Sequence, residues 1–267
     1  MKQFLNFALA RKPKLYTNIL KVKGNYNLEK IVFLNLVKNG ETVIDIGANR
    51  GYYTLLFSHL VGNSGQVHAF EPVPPTFKKL SQTIDNQARY KNWQLNQKAV
   101  GNSQETITIY MPGNDDGQAS MTTHQSASWS RSESITKYEC EMITLDDYAH
   151  SNLNQGLDFI KCDVEGAELL ALKGAIKTIK TYLPLIYLEV CNDWTKNFDY
   201  TPSDLVKFLQ SIGYNKFWLI SNRVNLLEHP QEQLKPENFT ESANLLCTIS
   251  THHQDRVSLT SCTPVEK

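Results

Sequence analysis

The chain has 267 residues, of which 41% are hydrophobic and 20% charged, and its 27 basic residues balance its 27 acidic ones. A protein with a net charge of zero has no overall positive potential to attract a polyanion, which argues against nucleic acid as a partner. No apolar run reaches the roughly 20 residues that span a bilayer, and the short stretch Phe4–Ala10 precedes its basic residues, unlike a secretory signal. We therefore expect a cytoplasmic, single-domain protein with no membrane partner.

The first predicted helix covers residues 27–39, in which apolar residues recur at helical spacing up to Gly40. We assign residues 1–40 to an N-terminal helical extension. Strands and helices then alternate as far as residue 100, which predicts a parallel sheet with helices on both faces. In chain order the predicted elements are a strand at Thr42–Ile46, a helix through Tyr53–Leu60, a strand at Val67–Phe70, a helix through Phe77–Ile84 and a strand at Trp93–Val100.

Residues 101–145 interrupt this alternation. Thr106–Met111 and Tyr138–Leu145 alternate at the period of a strand, and a polar stretch rich in small residues, 112–136, joins them. We predict an inserted antiparallel pair of strands. Its loop exceeds the roughly 12–15 residues of ordinary connections, so we expect a substrate lid that governs the acceptor and not the cofactor.

The alternation resumes after residue 156 and ends in a predicted antiparallel hairpin. The whole pattern predicts an α/β fold, a Rossmann-like doubly wound sheet of about seven strands with one inserted β-pair. The later elements are a strand at Leu157–Cys162, a helix through Leu169–Ile179, a strand at Leu185–Val190, a helix capped by Thr201 and ended by Gly213, and the hairpin strands Phe217–Ile220 and Leu245–Ile249.

The turn after the first strand carries the first candidate site. Gly47 and Gly51 lie there, where glycines let a ligand approach the backbone and the next helix offers free N–H groups. Glu71 ends the second strand, where an acid can accept from both ribose hydroxyls. The G-x-x-x-G spacing lacks the third glycine of a dinucleotide site, and Asp45 places an anion where phosphates would lie. An anion there suits the ammonium and sulfonium centres of S-adenosylmethionine.

Acidic residues also follow the fourth core strand, at Asp163, Glu165 and Glu168. Ligands of open α/β sheets lie beyond the carboxyl ends of the strands, so Asp163 is well placed to meet the reacting atom. Acids in a first helical turn are also stabilised by the helix dipole, by about 0.3–1 kcal/mol, which is a simpler explanation for Glu165 and Glu168. We predict Asp163 as the catalytic base, with Glu165 supporting it.

Five segments match the pattern of one family: Val43–Asn49 with Gly51-Tyr52, Phe70–Pro72, Thr144–Asp147, Phe159–Glu168 and Tyr187–Val190. Together they resemble the FkbM family of methyltransferases. One departure lies in the middle loop. Family members often have a glycine followed by Ser-Ser-Leu, whereas Gly117-Gln118 here leads into Ala119-Ser120-Met121.

The resemblance implies S-adenosylmethionine as methyl donor and a hydroxyl acceptor on a sugar, polyketide or similar small molecule or glycan. It implies that the loop after the first strand holds the methionine end and that Glu71 holds the ribose. No Asn or Asp before Pro-Pro-aromatic follows the fourth strand, which favours hydroxyl over amino acceptors. The predicted cofactor contacts are Asp45, Gly47, Asn49, Gly51, Tyr52 and Glu71.

Two other functions stay open at this point. Glu71 would serve the ribose of NAD equally well, so a nicotinamide-dependent oxidoreductase is the main alternative. A binding module could also keep the fold without turnover, although the acids after three strands argue against it.

A metal site is not favoured by the sequence. The five cysteines and seven histidines show no metal-like spacing, and His124 is the one histidine considered as a base, with a solvated loop position as the simpler explanation. Asp163, Glu189 and Asn192 follow neighbouring strands and would suit Mg²⁺. We rank metal-free base catalysis by Asp163 ahead of this magnesium site.

Overall fold

The computed structural model describes residues 12–22, 27–113, 115–124, 129, 134–221, 223–239 and 242–256. Parts of the predicted extension and of the predicted 112–136 loop, together with Cys262, lie outside these residues. No helix within the described ranges is long and apolar enough to cross a membrane.

Among the described residues, two short helices precede an alternating α/β core. The elements of the first half are α1 (Pro13–Val22), α2 (Leu28–Leu36), β1 (Thr42–Ile46), α3 (Tyr52–Val61), β2 (Gln66–Phe70), α4 (Pro74–Gln87), β3 (Trp93–Asn96), β4 (Ala99–Val100) and β5 (Glu105–Pro112). Those of the second half are β6 (Ile135–Ile143), α5 (Leu145–Asn152), β7 (Phe159–Cys162), α6 (Glu168–Lys173), α7 (Ile176–Tyr182), β8 (Leu185–Val190), α8 (Asn192–Thr195), α9 (Pro202–Ser211), β9 (Lys216–Ile220), β10 (Val224–Leu226), α10 (Pro230–Gln233) and β11 (Ala243–Thr248).

In the part of the chain that the structure describes, the main sheet has eight strands in the order β3-β2-β1-β7-β8-β11-β9-β10. Strands β3, β2, β1, β7 and β8 pair in parallel, and β11 runs antiparallel to both β8 and β9. Because β1, β7 and nearly all of β8 are buried, they read as mainly apolar runs, as expected for strands covered on both faces, with Asp45 in β1 and Lys161 in β7 as the buried charged exceptions. The Rossmann-like α/β fold is confirmed. The predicted hairpin consists of β9 and β11, and β11 lies between β9 and β8 in the sheet.

Each face of the sheet has its own apolar core. On one face Phe33 of α2 packs edge-on against Phe57 of α3, Phe159 of β7 and Tyr187 of β8. The other face holds a larger cluster in which side chains of α5, α6 and α9 cover the sheet. These layers hold the carboxyl ends of β1, β2 and β7 at one edge of the core.

Two predicted elements are divided in the structure. The strand predicted at 93–100 is β3 of the main sheet and β4 of a second sheet, because polar residues between them carry the chain from one sheet to the other. The helix predicted through Leu169–Ile179 breaks at Gly174, where a Cβ would lie 1.8 Å from the Gly101 carbonyl oxygen. The Asp146 carboxylate accepts the backbone N–H groups of Lys177 and Thr178, so the chain restarts as α7.

The insert forms the predicted antiparallel pair. Strands β5 and β6 pair from Glu105 opposite Met142 to Pro112 opposite Ile135, and β4 adds to β6 in parallel. The β6 strand begins before the predicted Tyr138 and ends before Leu145, which instead begins α5. A short 3-10 turn at Asp116–Gln118 returns the chain toward the main sheet.

Candidate active site

A cavity of about 240 Å³ lies where the insert meets the carboxyl ends of β1, β2 and β7. This is the position at which open α/β sheets bind ligands. The main sheet lines it with Gly47 and Asn49 after β1, Glu71 after β2, and Asp163 and Glu165 after β7. The insert lines it with several residues between Asp116 and Met121. Five residues from the two predicted sites therefore line one cavity: Gly47, Asn49 and Glu71 of the first site, and Asp163 and Glu165 of the second.

Glu71 is buried at the wall of this cavity, with 6% of its surface exposed. Its two carboxylate oxygens accept backbone N–H groups, Oε2 from Asn49 and Oε1 from Val73, each at 3.0 Å. Each oxygen has a second lone pair that can accept from a further donor. The carboxylate is thus fixed by the backbone in an orientation that suits a ligand carrying two adjacent hydroxyls.

If Glu71 holds the ribose of S-adenosylmethionine, as the sequence predicts, the affinity for this cofactor should rise with pH. Burial raises the pKa of Glu71 to about 7, and its backbone hydrogen bonds oppose that rise. Ribose hydroxyls donate best to the ionised form, so raising the pH from about 6 to about 8 should strengthen binding roughly tenfold. Calorimetric titrations of wild type and Glu71→Gln across this range check it. An equal slope in both proteins would assign the pH effect to another group.

The loop after β1 is shaped by close contact with β7. Gly47 has a φ of +77°, and a Cβ there would lie 1.8 Å from the Asp163 carbonyl oxygen. Its N–H donates to the Phe70 carbonyl. Asn49 also has a positive φ, of +47°. The glycine in this motif is therefore required by packing between strands, independently of any ligand.

Gly47→Ala should lower the free energy of unfolding more than Gly213→Ala does. Both positions have positive φ, +77° and +109°, but a Cβ at Gly213 would meet nothing within 4 Å. The left-handed conformation costs both variants about 1–2 kcal/mol, and overpacking against Asp163 should cost Gly47→Ala about 1–3 kcal/mol more. Urea denaturation of the two variants measures the difference. Equal losses would mean that the loop moves away from β7 at no cost.

Asp45 is fully buried and does not line the main cavity. Its Oδ2 accepts from the Thr54 hydroxyl at 2.6 Å, and its Oδ1 lies 3.8 Å from Nζ of Lys161. Lys161 is also buried, and its Nζ donates to Oδ2 of Asp163 at 3.0 Å. This ammonium group therefore joins the acid of the cofactor loop to the predicted catalytic acid, which the sequence analysis did not foresee.

The three charges of this bridge shift one another's pKa values. Burial would raise the pKa of Asp163, but the charge of Lys161, together with hydrogen bonds to Glu189 and Lys161, lowers the pKa below its ordinary value. For Asp45, burial dominates and the pKa rises. Burial would lower the pKa of Lys161, but Asp163 and Asp45 hold it above its ordinary value. We therefore treat Asp163 as ionised and Lys161 as protonated at neutral pH.

Glu168 is a structural residue. Its Oε1 accepts the N–H groups of Val164 and Gly166, and its Oε2 accepts the hydroxyl of Tyr200. These bonds shape the turn between β7 and α6. The helix dipole, which was the simpler explanation for Glu168, is therefore not its whole role, because the side chain also folds back over its own loop.

Glu165 has a different environment. It is 9% exposed, and its Oε2 has no hydrogen-bond partner in the described part of the chain. Burial, followed by the nearby charges of Asp163 and Glu168, raises the pKa of Glu165 to about 9. Oxygens of Asp163, Glu165 and Glu189 all lie within 4.8 Å of one another. Of the set Asp163, Glu189 and Asn192 considered from the sequence, Asp163 and Glu189 converge, and Glu165 joins them.

The insert is fastened to the loop that follows β1. Asp116 accepts from the Arg50 guanidinium at 2.7 Å and from Nζ of Lys79 at 2.8 Å. Its backbone carbonyl accepts from the Asn49 amide at 2.8 Å, and the Ser120 hydroxyl donates to the Glu165 carbonyl. The segment was expected to serve the acceptor alone, but it contacts both candidate sites. Nothing in the sequence around Asp116 indicated these partners.

Two further residues considered from the sequence, His124 as a base and Tyr52 as a cofactor contact, lie away from the wall of this cavity. His124 is buried between the rings of Trp129 and Trp194, and its Nδ1 lies 2.8 Å from Nδ2 of Asn197. The expectation of a solvated loop histidine is therefore wrong. Tyr52 is 55% exposed and lines a neighbouring cavity together with Asp45 and Lys161.

The sequence matches the model of the FkbM methyltransferase domain over residues 45–216. No curated protein matches it significantly. Among solved structures, the FkbM methyltransferase from Methylobacillus flagellatus KT is 14% identical with a TM-score of 0.49, and the match covers 92% of this chain but 59% of that one. A SAM-dependent methyltransferase from Aquifex aeolicus is also 14% identical, with a TM-score of 0.44 and coverage of 89% and 97%. A SAM-dependent O-methyltransferase from Thermotoga maritima is 12% identical, with a TM-score of 0.43 and coverage of 84% and 64%.

Proposed function

Because the chain belongs to the FkbM methyltransferase domain family, we propose that it transfers a methyl group from S-adenosylmethionine to a hydroxyl of a small molecule or glycan, such as a sugar or polyketide. The observation that carries the choice of donor is Glu71. Its carboxylate is buried at the cavity wall and held at both oxygens by backbone N–H groups 3.0 Å away. Such a group is preorganised for the two hydroxyls of a ribose.

The residues around Glu71 fit the rest of the donor. Gly47 and Asn49 line the same cavity after β1 and would lie along the methionine end. Asp45 is fully buried beneath them and would act through Lys161 and the loop instead of by direct contact. When bound, S-adenosylmethionine supplies a methyl group activated by its sulfonium centre.

Asp163 is the group that we propose to receive the hydroxyl proton. Its side chain keeps 33% exposure, and Lys161 binds its Oδ2. The lowered pKa keeps the carboxylate ionised and able to accept a proton at neutral pH. Holding the acceptor in line can supply up to roughly 7–11 kcal/mol of barrier reduction, so positioning by the cavity contributes more than the base does.

The insert would position the acceptor. Met121 and Ser120 line the cavity from the insert side, and Asp116 anchors this segment to Arg50 and Lys79. Because the anchor also reaches Asn49, closure over the acceptor would be coupled to the shape of the cofactor loop. We propose a lid that contacts both substrates.

We place this reaction in the cytoplasm. The described cysteines are all free thiols, at Cys140, Cys162, Cys191 and Cys247. Reduced, mostly buried thiols are typical of proteins from a reducing compartment.

Calorimetric titration with S-adenosylmethionine and with NAD⁺ tests the donor. We expect saturable binding of S-adenosylmethionine and none of NAD⁺ at the same concentrations. Tighter binding of NAD⁺ would favour the oxidoreductase alternative, for which Glu71 would serve equally well.

A further inference from the structure

Three carboxylates meet at the acceptor end of the cavity. Strands β7 and β8 pair in parallel with Cys162 opposite Leu188, so the next residues, Asp163 and Glu189, leave the sheet side by side. Glu165 turns back toward them. One oxygen from each residue lies within 4.8 Å of the other two.

The basic residue that contacts this group does not balance its charge. Lys161 is bonded to Asp163 and is shared with Asp45, which lies 3.8 Å away on the other side. Glu189 accepts a hydrogen bond from the Ser242 hydroxyl at 3.3 Å, and its carboxyl group is also hydrogen-bonded to that of Asp163. Three carboxyl groups are therefore held together in a partly buried position, and ionising all three is costly without a further cation.

A separate observation is the Oε2 atom of Glu165. This oxygen is buried and has no hydrogen-bond partner among the described residues. Glu165 itself is 9% exposed and directs this carboxylate into the group formed with Asp163 and Glu189. Burying a carboxylate oxygen without a partner costs on the order of several kcal/mol unless a cation or a donor meets it.

We propose that Asp163, Glu165 and Glu189 bind a divalent cation of the class that prefers oxygen ligands, such as Mg²⁺ or Mn²⁺. Around such an ion, with metal–oxygen distances of about 2.1 Å, neighbouring oxygens lie about 3.0 Å apart and opposite oxygens about 4.2 Å, so the three carboxylates would draw together when they bind it. Asp163 and Glu189 are partly exposed, which leaves room on the open side for water or an acceptor hydroxyl.

The use of this ion rests on the proposed methyl transfer. With the ion bound, Asp163 acts on the acceptor hydroxyl through the ion instead of as a direct base, and the hydroxyl proton leaves to water on the open side. The ranking drawn from the sequence, which placed metal-free catalysis first, is then reversed.

Manganese binding to the full chain, followed by electron paramagnetic resonance without donor or acceptor, tests the site. We expect one Mn²⁺ per chain, binding weakened at least tenfold in Glu165→Gln and in Glu189→Gln, and a change of less than twofold in Glu228→Gln. Glu228 is an exposed glutamate that follows β10 at the far edge of the sheet. Both cluster variants should fold, because glutamine has nearly the same size and shape as glutamate, and they should lose the rise in Tm that Mn²⁺ gives wild type.

Absence of Mn²⁺ binding to wild type at millimolar concentration, or equal binding by the cluster variants, would overturn the site. A titration of the same preparation with S-adenosylmethionine in EDTA keeps the two proposals separate. Donor binding without Mn²⁺ binding removes the metal and leaves methyl transfer with Asp163 as base. Mn²⁺ binding without donor binding removes the proposed donor and leaves the metal site.

Discussion

Glu71→Ala should weaken S-adenosylmethionine binding by roughly 10²–10⁴-fold, the largest effect on affinity that we expect from one substitution. The reason is the loss of two hydrogen bonds to a charged acceptor, each worth about 1.5–3 kcal/mol. In the structure the carboxylate is held by Asn49 and Val73, so a ligand meets it without reorganisation. Isothermal titration calorimetry measures the change.

The control for this variant is Glu228→Ala, which removes an exposed carboxylate at the opposite edge of the sheet. Its affinity should equal that of wild type. Circular dichroism and Tm should show that Glu71→Ala remains folded, since the substitution removes a buried charge. Donor affinity within threefold of wild type in a folded Glu71→Ala protein would end the ribose assignment.

Asp163→Asn should lower kcat by about 10²–10⁴-fold, the range for loss of a positioned proton acceptor. Asparagine has nearly the same shape but cannot accept the proton or bind a cation strongly, so the loss is expected whether Asp163 acts directly or through an ion. The affinity for S-adenosylmethionine should stay within about threefold, because Glu71 lies on a different strand end. Steady-state kinetics with a saturating donor measure kcat.

The matched control is Asp193→Asn, whose side chain is 75% exposed and pairs with Lys196 just beyond β8. It should leave kcat unchanged. The Asp163→Asn protein must also retain its fold, since Lys161 keeps Asp45 as a partner at 3.8 Å. A folded Asp163→Asn enzyme with more than a tenth of wild-type kcat would show that the proton leaves by another route.

Local patterns in the sequence predicted much of the fold. The β8 strand has the predicted bounds, Leu185–Val190, because a buried strand reads as a continuous apolar run. Thr201 caps α9 in a reciprocal capping box with Asp204. Such signals lie within a few neighbouring residues and need no tertiary information.

The features that the sequence analysis missed depend on residues far apart in the chain. Lys161 lies within an apolar strand, and its role becomes visible once β1 and β7 pair with Asp45 opposite Lys161. The contacts of Asp116 with Arg50 and Lys79 likewise span more than thirty residues. A basic residue inside a buried strand is a signal that could have been used, because buried lysines need a charged partner.

The convergence of Glu165 with Glu189 was missed for a different reason. Helical spacing placed Glu165 in a first turn, but its backbone adopts a φ of +53° before the helix begins at Glu168. This conformation is uncommon for a residue other than glycine and is set by the tertiary structure. The predicted ends of two neighbouring strands indicated that Asp163 and Glu189 lie close together. They gave no indication that Glu165 lies with them.

The most direct test of the central claim is transfer of label from methyl-labelled S-adenosylmethionine to hydroxyl-bearing metabolites in a native extract. We predict a labelled product that resists alkaline hydrolysis, as an ether does, with one equivalent of S-adenosylhomocysteine released for each methyl group transferred. Glu71→Ala and Asp163→Asn should greatly slow its formation, whereas Glu228→Ala should not. Labelling of amines alone, or no labelling with a folded enzyme that binds the donor, would contradict the account.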